Sequence, residues 1–189
     1  MILFRNSLTV LLFCIIYTYS FAQTPSLVDY DAYEEMVSEV KLHRAERLIT
    51  LDHFVEMVKM DNVMILDTRS IEMYNAKHIK CAIHLNFSDF TQDNLEALFP
   101  SRDVNILIYF NNNFEDDQKY FATKGYVMPE PLKAIDVKSP MPAVTMALNI
   151  PSYINLYGYG YRNMFELSEL ISVFDSRIQF EGSALVPKR

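Results

Sequence analysis

The chain of 189 residues is the size of one domain, and its 50% hydrophobic, 22% charged and 13% aromatic content is globular, which argues against a disordered chain or a collagen-like repeat. Its formal charge of −7 offers no basic surface to neutralise phosphates, so no nucleic-acid partner is expected.

Residues 1–22 have the layout of a secretory leader: Arg5 near the start, an apolar run over residues 8–19, then Ser20, Phe21 and Ala22. Cleavage after Ala22 makes Gln23 the first mature residue. The apolar run is shorter than the roughly 20 residues that span a bilayer, so no integral membrane segment is expected once the leader is gone. Cys14 is preceded by Phe13, where a lipoprotein signal wants a small residue, so lipidation is not expected. The protein is read as exported, either periplasmic or secreted. Removal of Arg5 leaves 16 bases against 24 acids, a charge of −8. Cys81 then becomes the lone mature cysteine, no intramolecular disulfide can form, and stability has to come from the core.

Residues 23–48 form an N-terminal extension whose Tyr33, Met36, Val37, Val40 and Leu48 recur at near-helical spacing, predicting a helix that packs over one edge of the domain. Thr50 reads as the N-cap of a second helix reaching about Lys59, with Phe54, Val55 and Val58 inward. The apolar run at residues 63–66, followed by Asp67, reads as a strand buried on both faces. Residues 83–85 are a second strand, 94–99 a short helix stopped by Pro100, and 105–109 the strongest strand. Strands separated by helices imply right-handed crossovers and an α/β fold with a mostly parallel central sheet flanked by helices on both faces. Ligands on such sheets sit beyond the carboxyl ends of the strands, here after Leu66 and Tyr109. Pro151 starts a helix through Tyr157, Gly160 ends it, and a last strand follows.

Four stretches, in this order, resemble the rhodanese-like domain family. Asp67, Thr68 and Arg69, then Tyr74, then His78, Ile79, Ala82 and Ile83 are similar to its D-x-R, aromatic-ended helix and G-H-I-x-G-A pattern. Leu107, Ile108 and Tyr109 resemble the strand that leads into its active loop, and residues 160–167 (GYRNMFEL) resemble its closing G-Y-x-N-V-Y-x-L. The resemblance implies one rhodanese-like domain over residues 49–180, with an insertion or lid at 115–150 and a C-terminal tail at 181–189.

Rhodanese chemistry needs a cysteine directly after that strand, to carry a sulfane sulfur as a persulfide. The matching position here is Phe110, which cannot ionise, accept sulfur or attack phosphorus, so no catalytic residue is expected. A related Cx5R phosphatase reading fails on the same residue, and no arginine occurs within 111–118. Phe110, Asn111, Asn112, Asn113 and Phe114 are expected to form a ligand-binding loop, because asparagines tolerate left-handed turns and can shape a cradle of backbone N–H groups without glycine. Glu115, Asp116 and Asp117 beside it repel thiosulfate or phosphate; they read as loop surface or as a preference for a cation or amine. Asp67 and Arg69 are the expected loop support, since the family's arginine pairs with an acid to brace the loop; Met73 stands at the usual glutamate position, with Glu72 one residue away.

Cys81 takes the place of the family's glycine after H-I-x, and is read as a buried or half-buried structural thiol in a turn entering a strand. His78, Cys81 and His84 make an H-x2-C-x2-H run, but a turn running into a strand does not converge their side chains, and no metal is expected. No cofactor is expected either. The insertion at 115–150 carries Pro129, Pro131, Pro140 and Pro142 and reads as an extended lid over the pocket mouth. Tyr153, Tyr157, Tyr159 and Tyr161 read as core and rim packing, with a peptide-contact surface as the alternative. The expected function is an inactive rhodanese-like module that binds or regulates an unknown small molecule or protein. An active sulfurtransferase using another thiol and a structural envelope-associated domain are the alternatives.

Overall fold

The computed structural model describes residues 28–99, 101–115 and 148–185. The leader, Asp116, Asp117, the four insertion prolines and residues 116–147 of the expected lid lie outside the described residues, while the lid's expected end at 149–150 is already helical, so that helix starts before Pro151.

The first helix, α1 (Tyr30–Ala45), is capped by Asp29, whose side chain accepts from the Ala32 N–H. It buries only Val40, while Tyr33 and Val37 stay exposed, because this helix lies over the edge of the domain and is gripped chiefly by polar contacts further along. Leu48, expected at the helix end, instead belongs to an unforeseen two-residue strand, β1 (Leu48–Ile49), and is exposed. Thr50 caps α2 (Leu51–Met57) as expected. Its buried side chains are Leu51, Phe54 and Met57, with Val55 half-buried against the same core; Phe54 and Val55 face inward as expected, whereas Val58 falls on the C-cap and is exposed.

Then follow β2 (Val63–Asp67), α3 (Ile71–Ala76), β3 (His78–Ile79), β4 (Ile83–His84), a 3-10 turn at Phe87–Asp89, α4 (Gln92–Leu98) and β5 (Asn105–Tyr109). After a second 3-10 turn at Asn111–Asn113 come α5 (Asn149–Gly158), β6 (Met164–Leu167), β7 (Phe180–Glu181) and a last 3-10 turn at Ser183–Leu185. Gly160, with φ +91, ends the α5 turn in a conformation that favours glycine.

Five strands form one sheet in the order β1-β6-β5-β2-β4, with every neighbouring pair parallel. Side chains alternate across it. Leu66, Ile106, Ile108 and Met164 meet α1, α4 and α5 on one face, while Ile65, Leu107, Tyr109 and Leu167 meet α2 on the other. The fold is thus the expected α/β layer arrangement with helices on both faces.

A separate antiparallel pair joins β3 to β7, with His78 opposite Glu181 and Ile79 opposite Phe180. The expected tail boundary at 181 therefore cuts through a strand: the C-terminal segment is tied back to the domain. At Gly182, φ is +138 and any Cβ would collide with the Ala76 carbonyl, so only glycine lets this segment lie against the end of α3.

Candidate functional site

The site region lies where β2 and β5 end side by side, Asp67 and Tyr109 being register partners. Apolar runs carry both strands through the interior, so the first polar side chains after them arrive buried. Asp67, Thr68, Arg69, Asn111 and Asn113 are all at most 3% exposed. Such groups persist only when their hydrogen bonds are made inside the protein.

Arg69 donates its Nε and Nη2 to Asp67, the Nη2 to Oδ2 distance being 2.7 Å, and its backbone N–H also reaches Asp67 Oδ1 at 3.0 Å. The guanidinium continues to Asn111 Oδ1 at 2.9 Å and to the Lys77 carbonyl. Tyr109 donates its hydroxyl to Asp67 Oδ2 and accepts the Ile79 N–H at 3.2 Å. Burial and the adjacent Asp67 carboxylate push the Tyr109 phenol well above its ordinary pKa, so it stays a donor. Asp67 and Arg69 are therefore brought together with the loop through Asn111. Among the described residues, the acid that meets Arg69 is Asp67, its own near neighbour, and not Glu72, which is exposed on α3.

Phe110 stands directly after β5, extended in backbone and 4% exposed. Its N–H donates to Asn113 Oδ1 at 3.0 Å. Asn113 in turn donates its amide Nδ2 to the carbonyls of Leu167 (2.8 Å) and Glu169 (3.1 Å). The Asn113 N–H goes to the Phe110 carbonyl, that of Phe114 to Asn111, and that of Glu115 to Ile171, whose own N–H returns to the Asn113 carbonyl. Four N–H groups of the loop are thus committed to the protein itself.

The expectation that the asparagines open a left-handed cradle is not met. They form a right-handed 3-10 turn, because Asn111 and Asn113 spend their side chains on Arg69 and on backbone carbonyls. Phe114 is fully buried, edge-on to Tyr109 and Phe180, with Arg69 and Lys77 over its ring. It belongs to the core beneath the loop and does not face a ligand.

Cys81 is the only described residue other than glycine with positive φ, at 68°. It lies in a left-handed turn between β3 and β4 that leaves the side chain exposed, which corrects the expectation of a buried or half-buried thiol. It lies at the edge of a groove lined also by Lys80, Arg177 and Gln179. His78 stacks on Tyr74 and bonds the Tyr74 carbonyl, and His84 bonds the Arg69 carbonyl. Among the described residues no group of three or more His, Cys, Asp or Glu is arranged to hold a metal.

One polar cluster was missed altogether. Glu166, at 2% exposure, takes Arg44 Nε and Nη2 on its two oxygens at 2.5 and 2.6 Å, and Asn149 Nδ2 joins it. The signal was present in β6: strand alternation puts Glu166 on the same face as Met164, which is buried, so the carboxylate had to find a partner inside.

Residues 50–138 match the family model described as Rhodanese-like domain. A protein of Buchnera aphidicola subsp. Schizaphis graminum (strain Sg), described as an uncharacterized protein, is 28% identical over 87 residues, which is 43% of this chain and 59% of that relative. Among solved structures, the BH2092 protein from Bacillus halodurans aligns with a TM-score of 0.48 at 14% identity, covering 80% of this chain and 88% of that one. The Rhodanese-like domain from the Anabaena sp. Alr3790 protein aligns with a TM-score of 0.45 at 14% identity, covering 76% and 86%. The chain carries a rhodanese-like domain. The folded unit runs past the matched stretch, because β6 sits between β1 and β5 in the sheet.

Proposed function

We propose that this is an exported rhodanese-like domain without sulfurtransferase chemistry, acting as a binding or regulatory module. The observation that carries the reading is Phe110 at the end of β5, with its N–H already accepted by Asn113 Oδ1. Sulfur transfer needs a thiolate at that point and unpaired N–H donors around it to hold the charge. Here the side chain is a hydrocarbon and the donors of residues 110, 113, 114 and 115 are in use. Export rests on the charge, length and small-residue end of residues 1–22. Among the described residues no helix is long and apolar enough to cross a membrane.

The test is thiosulfate-dependent sulfur transfer to a thiol acceptor. No turnover above the uncatalysed rate is expected. The exposure of Cys81 beside Lys80 favours one competing reading, an active transferase that uses this thiol. Turnover that disappears in Cys81→Ser would establish that reading and overturn the first. Mass spectrometry of exported protein is expected to show Gln23 or its pyroglutamate at the terminus; an intact Met1 would overturn export by cleavage.

A further inference from the structure

We infer that α1 is a releasable arm: acidification lifts it from the rest of the domain through protonation of His43, while the five-stranded sheet stays folded. This goes beyond the reading above and does not depend on it, since it uses neither Phe110 nor a thiol.

The helix is held by polar contacts more than by a core. Of its 16 residues only Val40 is buried, with Met36 half-buried against the same cluster. Three side chains on that face supply the rest of the grip. Glu39 accepts from the Tyr157 hydroxyl, His43 Nδ1 lies 2.8 Å from the Tyr153 hydroxyl, and Arg44 meets Glu166 of β6. An element with so little apolar area to lose opens at lower free energy than the sheet beneath it. The Arg47 carbonyl accepts the Glu166 N–H at 2.9 Å and Leu48 pairs with Glu166, so the chain is fixed to the sheet from Arg47 onward and the arm turns at Glu46.

His43 is the member of this grip that a proton disrupts. The Tyr153 hydroxyl has one proton and gives it to the Met164 carbonyl at 3.2 Å, so His43 donates through Nδ1. A second proton goes to Nε2, which is buried and has no hydrogen-bond partner among the described residues. Guanidiniums reach the ring from two sides. Arg47 Nη1 bonds the His43 carbonyl at 3.3 Å, and Arg162 lies 3.6 Å over the Tyr157 ring that His43 meets edge-on. The nearby carboxylates are engaged elsewhere: Glu166 with Arg44 and Asn149, Glu39 with Tyr157, and Glu46, itself exposed, with Arg47. Burial, Arg47 and Arg162 favour the neutral ring, against smaller opposite pulls from the Arg162 backbone and Glu46. Lifting α1 returns the ring to water, where it takes its proton at the ordinary value of 6.5. Protons therefore bind the lifted form more tightly. Docking is at full strength above pH 6.5 and weakens as the pH falls below it. Release uncovers the Tyr153 and Tyr157 hydroxyls of α5 and the Glu166 carboxylate, a polar face that α1 covers at neutral pH.

The test is amide hydrogen exchange of the full chain between pH 7.5 and 5, corrected for the intrinsic pH dependence of exchange. Protection over residues 37–45 is expected to fall by about threefold or more, and at pH 5 to lie at least about tenfold below that of β5. His43→Gln keeps a donor for Tyr153 and cannot take a proton, so it is expected to abolish the fall. If that variant fails to fold, the native protein decides: the fall is expected to begin near pH 6.5 and to level off at the midpoint of the His43 ring, read from its Cε1 proton resonance. The inference is overturned by unchanged protection of α1, by equal protection of α1 and β5 at pH 5, by an undiminished fall in His43→Gln, or by a fall that begins only below the ring's midpoint.

Discussion

Tyr109 and Asp67 face each other across two parallel strands and are joined by a hydrogen bond of 2.5 Å from the phenol to Oδ2. The same phenol oxygen receives the Ile79 N–H, so one side chain ties β5, β2 and the β3 turn together. Tyr109→Phe removes a donor to a buried carboxylate and leaves the Ile79 N–H without its acceptor. A loss of about 1–3 kcal/mol of stability is expected, measured by urea unfolding; a loss below a few tenths would mean that water replaces the hydroxyl.

Arg69 serves Asp67, Asn111 and the Lys77 carbonyl with a planar fork, while only 1% exposed. Arg69→Met strands the Asp67 carboxylate in the interior and is expected to cost about 3–5 kcal/mol. Arg69→Lys keeps the charge but cannot reach Asp67, Asn111 and the Lys77 carbonyl together, so it is expected to fall between the native protein and Arg69→Met. Equal stability of the Lys variant and the native protein would show that the fork geometry contributes nothing.

Phe110→Cys places a thiol at the position proposed to match the family's sulfur carrier, yet among donors that are already paired. The exposed Cys81 offers an internal standard in the same molecule. After exposure to thiosulfate or polysulfide, peptide mass mapping is expected to show slower persulfide formation at 110 than at 81. Faster modification at 110 would mean that the loop opens into a working cradle.

His43 sits between α1 and α5, its Nδ1 2.8 Å from the Tyr153 hydroxyl and its ring edge-on to Tyr153 and Tyr157. Tyr153 gives its own proton to the Met164 carbonyl, so His43 is the donor in that contact, and its buried Nε2 has no hydrogen-bond partner among the described residues. Burial first, then Arg47 and Arg162, hold its pKa below 6.5, against a smaller upward pull from the Arg162 backbone and Glu46. The neutral ring is thus the form the fold prefers. Its contribution is fully present above pH 6.5 and is lost as the pH falls through the lower folded value. On acidification from pH 7.5 to 5, the native protein is expected to lose more melting temperature than His43→Gln. An equal loss in both would remove His43 from the pH response.

Cys81 holds φ 68 without being glycine, a conformation that costs an L-residue roughly 1–2 kcal/mol. Cys81→Gly is expected to gain stability, by somewhat less than that strain because glycine is freer when unfolded. Chemical denaturation measures it, and a destabilised variant would show that the exposed side chain makes contacts worth more than the strain.

Strands β2 and β5, helix α2 from its Thr50 cap, and the α/β arrangement were all legible in the sequence, because each is written locally: an apolar run of strand length, a hydroxyl before a helix, turns between them. So was the placement of Phe110 directly after β5. What the sequence could not carry is how far-separated polar groups pair. Asn111 through Asn113 read equally well as a left-handed cradle or a right-handed turn; the choice fell to Arg69 and to the carbonyls of Leu167 and Glu169, which draw in the asparagine side chains. Two-residue strands such as β1, β3 and β7 have too little pattern of their own and exist because a partner strand supplies the hydrogen bonds. Local periodicity determined which residues face inward, and the pairing of buried donors and acceptors across the chain, which no local pattern records, decided the shape of the site.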